Sequence, residues 1–188
     1  MKPFNIILSG VGGQGLITLV TILDQACLNE GYDVRSSELH GLSQRGGSVQ
    51  AHVRFGKKVY SPLISNKKTD IIIGLETSEA LKSIMYANEK TKILVNDNSV
   101  PYLGGLPKKE LLETLKKTAK NNLYLVSASK ICEEKLQKEV VSGMYILGYA
   151  CYKKLIPLTI ESLLKATEQV IPTKYLESNK KAVELAKL

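Results

Sequence analysis

Gly10-Val11-Gly12-Gly13-Gln14-Gly15 separates two stretches of different periodicity. Phe4 to Ser9 before it is a continuous apolar run, and Leu16 to Asn29 after it carries apolar residues at helical spacing until Gly31, a residue suited to end a helix. The order is strand, tight turn, helix. Gly10, Gly12 and Gly15 give GxGxxG spacing where it carries meaning, between a strand and the mouth of a helix, so that the amides of Gly12, Gly13, Gln14 and Gly15 can face an anion. The same turn serves close strand–helix packing or a protein contact without any ligand. The glycines alone leave these readings open.

Outward from the turn, Tyr32 to Glu38 reads as a second strand. Ser48 to Phe55 alternates Val49, Ala51, Val53 and Phe55 with polar residues and turns at Gly56-Lys57-Lys58 into Val59-Tyr60, which predicts an antiparallel hairpin. Leu39 to Gly47, without periodicity, is a loop between them. Asp70 to Leu75 predicts a buried strand, Ser78 to Ala87 a helix, and Lys92 to Val95 a further strand. Lys108 to Lys120 is amphipathic, Leu123 to Val126 is a short strand, and from Ser129 three or four helices follow, punctuated by Pro157 and Pro172. Strands alternating with helices predict a three-layer, Rossmann-like α/β domain with a mostly parallel sheet, an antiparallel hairpin and a helical C-terminal segment.

Composition bounds the function. The 188 residues suit one domain spanning 1–188, large enough for a core without disulfides or metals. With 44% hydrophobic and 23% charged residues the chain is ordinary for a globular protein, and no apolar stretch approaches the roughly 20 residues of a membrane span. The start Met1-Lys2-Pro3-Phe4 leads into no secretory pattern, so a cytoplasmic location is expected. Net charge is 26 − 18 = +8, but the lysines are scattered among acids, as solvated helix faces have them, and no nucleic-acid partner is expected. Cys27, Cys132 and Cys151 lie far apart, form no CxxC and are too few for four-thiolate cluster ligation.

The basic residues are unevenly typed: 23 of 26 are Lys, and the three Arg (Arg35, Arg45, Arg54) share one window with both His (His40, His52). Arg grips carboxylate or phosphate with a planar fork, so chemistry is expected there. Glu38 stands about 20 residues beyond the glycine turn, where an NAD-binding fold places its ribose acid. The rival reading is therefore an NAD-dependent dehydrogenase. Against it, the chain after Glu38 runs into a loop and hairpin where a regular mononucleotide fold begins another crossover helix. Glu76 and Asn96 fall at the carboxyl ends of strands, where open α/β sheets hold ligands, although helix capping explains them equally. His40 suits loop ordering better than catalysis, and His52 is expected at a surface or edge position.

Three segments resemble a known family: Gly10 to Gly15, Glu38-Leu39-His40-Gly41-Leu42-Ser43-Gln44-Arg45-Gly46-Gly47-Ser48-Val49, and Asp70 through Glu76 to Glu79. They resemble the gamma-type subunits of 2-oxoacid:ferredoxin oxidoreductases over nearly the whole chain, and most closely the beta subunit of the indolepyruvate enzymes. Ser43-Gln44-Arg45-Gly46-Gly47 is the specific block. Pyruvate-type and oxoglutarate-type relatives carry Gly-Pro-Glu-x-Arg-Gly in that loop, whereas His40 to Arg45 looks like the arylpyruvate branch.

The resemblance implies oxidative decarboxylation of a 2-oxoacid on thiamine diphosphate, electrons leaving through iron–sulfur clusters to ferredoxin, and acyl transfer to coenzyme A. No Gly-Asp-Gly diphosphate motif and no cluster-forming cysteine set occur here. Those cofactors are therefore expected on a catalytic partner subunit, with this chain an accessory subunit that has no catalytic residue of its own and contacts coenzyme A. The implied binding residues are Gly10, Gly12, Gly13, Gln14, Gly15, Glu38, His40, Ser43, Gln44, Arg45, Gly46, Gly47 and Glu76. For Arg45 two roles stay open: pairing with a coenzyme A phosphate or substrate carboxylate, and a structural or inter-subunit ion pair.

Overall fold

The computed structural model describes residues 2–41, 46–100 and 105–187, apart from the His40 side chain. Leu42, Ser43, Gln44 and Arg45 lie outside the described residues. Strands β1 (Phe4–Val11), β2 (Asp33–His40), β3 (Ser48–Gly56), β4 (Ile71–Gly74), β5 (Lys92–Asn96) and β6 (Leu123–Val126) form one sheet in the order β2-β3-β1-β4-β5-β6. β1, β4, β5 and β6 run parallel, while β3 is antiparallel to both β1 and β2. β2 thus points the same way as β1, and β3 is the one reversed strand among the described residues.

Helices α1 (Leu16–Asn29), α2 (Thr77–Lys82), α3 (Lys108–Ala119), α4 (Ala128–Leu136), α5 (Ser142–Tyr152), α6 (Ile160–Val170) and α7 (Thr173–Leu185) cover the sheet. Period-2 alternation sorts its faces. Ile6, Leu8, Ile71, Ile73 and Leu94 enter a large core shared with α1, α4, α5, α6 and α7. On the opposite face Ile93 and Val95 pack against α2 and α3, and Ile7 and Ile72 pack against Ile64 and Tyr86. The expected three layers are present. Eight of the eleven α5 residues are buried, so α5 lies inside the helical layer rather than on its surface. A Cβ on Gly148 would stand 2.8 Å from the carbonyl oxygen of Val183, which is how closely α5 and α7 approach. No helix among the described residues is long and apolar enough to cross a membrane.

The hairpin differs from the sequence expectation. β3 pairs with β2, from Asp33↔Gly56 to His40↔Val49, and not with Val59-Tyr60. Because β1 takes its other edge, β3 has no side left for a further strand. The amide of Val59 instead donates to Asp33 Oδ2 at 2.8 Å. The helix expected from Ser78 to Ala87 is also shorter, α2 giving way to a 3-10 turn at Ser83–Tyr86. There the Ser83 hydroxyl bonds back to the Glu79 carbonyl at 3.0 Å and accepts from Gln50 Nε2 at 3.0 Å, tying the turn to β3.

His52 is the clearest correction, for it is neither at the surface nor at an edge but 3% exposed on an interior strand. Its Nδ1 accepts the Ile64 amide at 3.0 Å, which puts the ring proton on Nε2, a buried atom with no partner. Tyr86 meets the ring edge-on at 5.0 Å. Burial lowers the imidazole pKa below its ordinary 6.5. The unfolded chain therefore binds this proton more readily, and stability is full above pH 6.5 and falls as pH drops toward the folded-state pKa, where the loss levels off. Denaturant midpoints measured from pH 7.5 down to about 5 should fall in the wild type, and His52→Gln should flatten that decline. An equally steep decline in the variant would assign the effect elsewhere.

Candidate functional site

The glycine turn leaves β1 at the carboxyl edge of the sheet and is closed from within. Gln14 N–H donates to the Val11 carbonyl at 3.2 Å, and Val11 N–H donates to Gln14 Oε1 at 2.9 Å. A Cβ on Gly10 would meet Gln14 Oε1 at 2.6 Å and Leu75 Cβ at 3.1 Å. The clearance that glycine supplies at position 10 is thus taken by the turn's own glutamine. Gly15 adopts φ 73° immediately before α1, and α1 has neither a side-chain cap nor an acid in its first turn. Among the described residues no side chain caps its amide end, which carries the partial positive charge of a helix start.

Gly12 joins this turn to the second family-like segment. Its N–H donates to the Gly47 carbonyl at 2.8 Å, and its carbonyl accepts Gly46 N–H at 3.2 Å. On the other strand of the hairpin Gly41 N–H donates to the Ser48 carbonyl at 3.0 Å. The two ends of the segment that carries Ser43, Gln44 and Arg45 are therefore fixed beside the amide end of α1. The Ser48 hydroxyl donates to Glu79 Oε2. Glu79, only 4% exposed, also takes Lys82 Nζ at 2.5 Å.

Glu76 is fully buried, and its carboxylate accepts Ser78 N–H at 3.1 Å, Glu79 N–H at 2.8 Å and the Ser78 hydroxyl. It closes on the first turn of α2 and holds Glu79 in place for Ser48. Asn96 is likewise satisfied by its surroundings, bonding the Leu75 carbonyl and Ser129. Sequence reasoning found Glu76 but missed the Ser48–Glu79 link, although the spacing of the two glutamates on a helix start already suggests a cap followed by an inward carboxylate.

Glu38 lies level with Leu8, with Ala51 of β3 between them, and so stands one whole strand away from β1. It faces α1, where burial raises the Asp24 pKa and the Glu38 charge adds to that rise while the Ser36 hydroxyl opposes it. Of the three arginines, Arg35 pairs with Asp33 at 2.8 Å, and Arg54 binds Asn5 Oδ1 and the Ser61 and Leu63 carbonyls. Both serve the fold, contrary to the expectation that the whole window is chemical. Arg45 and the His40 side chain fall outside the described residues.

Two clefts flank the turn. One of about 350 Å³ lies between Gly12, Gly13, the first turn of α1 and Val49. The other, about 250 Å³, lies between Gln14, Leu75, Ser129, Glu139 and Ser142. Among the described residues neither lining contains a nucleophile–base pair. Cys27, Cys132 and Cys151 are buried free thiols, with burial pushing Cys132 up to about 11 and Cys151 up to about 12 and raising Cys27 further. Among the described residues no group of three or more His, Cys, Asp or Glu could hold a metal ion.

Comparison with known proteins gives the chain its relatives. Residues 5–187 match the family model for pyruvate ferredoxin/flavodoxin oxidoreductase. Indolepyruvate oxidoreductase subunit IorB of Thermococcus kodakarensis is 34% identical over 192 aligned positions, covering 98% of this chain and 95% of that protein. In fold, the chain is similar to pyruvate oxidoreductase subunit PORC of Thermotoga maritima, with TM-score 0.73, 20% identity, and 100% and 96% of the two chains covered. It is also similar to part of a 2-oxoglutarate:ferredoxin oxidoreductase from Magnetococcus marinus, solved with 2-oxoglutarate, coenzyme A and succinyl-CoA bound, with TM-score 0.74, 16% identity, and 100% of this chain but 31% of that one covered.

The self-filled turn predicts a coupled pair of substitutions. Gly10→Ala should destabilise by about 1–3 kcal/mol, because the new methyl displaces the Gln14 amide. In a Gln14→Ala background the same change should cost measurably less, with Leu75 accounting for the remainder. Urea unfolding of the four proteins in the cycle tests this, and strict additivity would show that Gln14 does not occupy the space above Gly10.

Proposed function

The chain belongs to the pyruvate ferredoxin/flavodoxin oxidoreductase family, and we propose that it is the gamma-type accessory subunit of an indolepyruvate-type 2-oxoacid:ferredoxin oxidoreductase. In this reading the complex oxidatively decarboxylates an arylpyruvate, transfers the acyl group to coenzyme A and passes electrons to ferredoxin. A cytoplasmic partner subunit carries the thiamine diphosphate and iron–sulfur clusters. The chain acts as one unit across 1–188 and contributes binding groups instead of a reacting side chain.

The reciprocal backbone pairing of Gly12 with Gly46 and Gly47 carries this reading. It ties the Arg45 segment to the amide end of α1, so that guanidinium and helix dipole can act on the same anion. Gly13, Gln14 and Gly15 line that approach, with Ser43 and Gln44 beside Arg45. A coenzyme A phosphate is the proposed guest. Glu38 and Glu76 contribute by supporting the elements around it, since Glu76 is spent on its own helix. The dehydrogenase rival loses its ribose acid, because β3 separates Glu38 from β1.

In the assembled complex Arg45→Ala should raise the KM for coenzyme A by about 10–100-fold, the loss of a charge-assisted hydrogen bond worth about 1.5–3 kcal/mol. Arg45→Lys should recover part of it. An unchanged KM with unchanged turnover refutes the anion role, and loss of assembly with Arg45→Ala assigns the arginine to a subunit ion pair.

A further inference from the structure

An apolar groove of about 710 Å³ runs from the first turns of α1 to the junction between α6 and α7. Its walls include Ile17, Val140, Met144, Ile171 and Tyr175. Three of these large apolar side chains are freely exposed, Ile17 at 51%, Val140 at 75% and Tyr175 at 50%. Apolar groups gathered around one concave surface mark a binding face, whereas isolated ones need no explanation.

The electrostatics of the groove are one-sided. Lys138 is the only charged residue lining it among the described residues. The amide ends of α1 and α7, which begin after Gly15 and Pro172, also open at its walls, whereas α5 continues from the 3-10 turn Glu139–Val141 and offers no free amide end. Neither α1 nor α7 has a side-chain cap or an acid in its first turn. Each carries a partial positive charge, of order half an elementary charge at a helix start. The occupant that fits is apolar and bears carboxylates. A second copy of this chain does not fit, because a two-fold contact would set Lys138 and the amide ends of α1 and α7 against themselves, in a chain already at net charge +8.

We propose that this groove receives an acidic, amphipathic segment of the catalytic partner subunit. This rests on the reading of the chain as an accessory subunit and adds the face through which it docks. The groove shares Gln14 and Gly15 with the glycine turn, and Gly15, Ile17 and Thr18 with the cleft beside Val49, so the docked segment lies next to the anion site. Apolar side chains would fill the floor while carboxylates meet Lys138 and the helix ends, a helix-in-groove contact with charge setting its orientation.

The test uses the purified native complex and variants of this chain reassembled with the catalytic subunit. Val140→Glu should weaken reassembly by about tenfold or more, and Lys138→Glu should weaken it and reduce its sensitivity to salt. Leu63→Glu, at a 58% exposed apolar position on the connection from β3 to β4, should assemble like the wild type. Thermal melting checks that each variant is folded. In a Val140→Cys variant, whose native cysteines are buried, maleimide labelling should be fast in the free chain and slowed in the complex. Wild-type assembly that Val140→Glu leaves intact, with labelling equally fast in both states, overturns the groove assignment while leaving the accessory-subunit reading in place. A homodimer joined through this groove also overturns it. A wild-type protein that assembles with no thiamine-diphosphate subunit overturns both readings.

Discussion

β3 makes full ladders on both edges, and the carboxyl edge of the sheet is arranged by that pairing. Side chains on a strand alternate faces, so a slip of one residue would exchange Val49, Ala51, Val53 and Phe55 for Gln50, His52 and Arg54 in the large core. Such an exchange would bury polar groups without partners and expel the apolar ones. Register is thereby fixed, and with it Ser48 opposite Val11. With Ser48 there, Gly46 and Gly47 lie beside the glycine turn, and their bonds to Gly12 continue the ladder beyond its last paired residue. The same insertion moves β2 one strand outward, which is why the β2 acid Glu38 is not brought to the side of the GxGxxG turn.

The two faces of β3 are held differently. On the α1 side burial of aliphatic side chains supplies the stability. On the other side the strand is pinned by polar links: Gln50 to Ser83, His52 to the Ile64 amide, and Arg54 to Asn5, Ser61 and Leu63. Here the connection from β3 to β4 lies directly on the sheet, and its backbone groups need partners that a helix would have satisfied internally. Arg54 and His52 supply them. Residues that look chemical in the sequence are in this way absorbed by a coil that covers a sheet.

This explains which parts of the molecule the sequence revealed. The strand–turn–helix at the start, the alternation of β3 and the bounds of α3 and β6 follow from local periodicity, and the structure reproduces them. Periodicity reports which face a residue occupies but not which strand lies alongside. The pairing of β3 with β2 instead of Val59-Tyr60 and the burial of His52 were hidden for that reason. Glu76 was legible as a residue at a strand end, yet its use as a cap depended on the turn into α2, and the reach of Glu79 to Ser48 joins residues 31 apart in sequence. Arg45 stood out by composition and by the family-like block Ser43 to Gly47, while Arg35 and Arg54 in the same window are bonded into the fold.

A subunit with no nucleophile–base pair in the clefts beside its glycine turn can still govern a transfer reaction, provided that it fixes where a charged group rests. Backbone amides suit this task because they cost nothing in titration and little in reorganisation. Among the described residues the carboxylates near the turn are already committed: Glu76 to α2, Glu79 to Ser48 and Lys82, and Glu139 to Asn98. Carboxylates so engaged do not repel an arriving anion as free ones would, and the amide end of α1 keeps its field. The described residues on either side of 42–45 are held by backbone bonds, Gly41 to Ser48 on one side and Gly46 and Gly47 to Gly12 on the other, and Glu79 holds Ser48 in turn. An anion bound at the amide end of α1 would meet backbone groups that these bonds already hold in place.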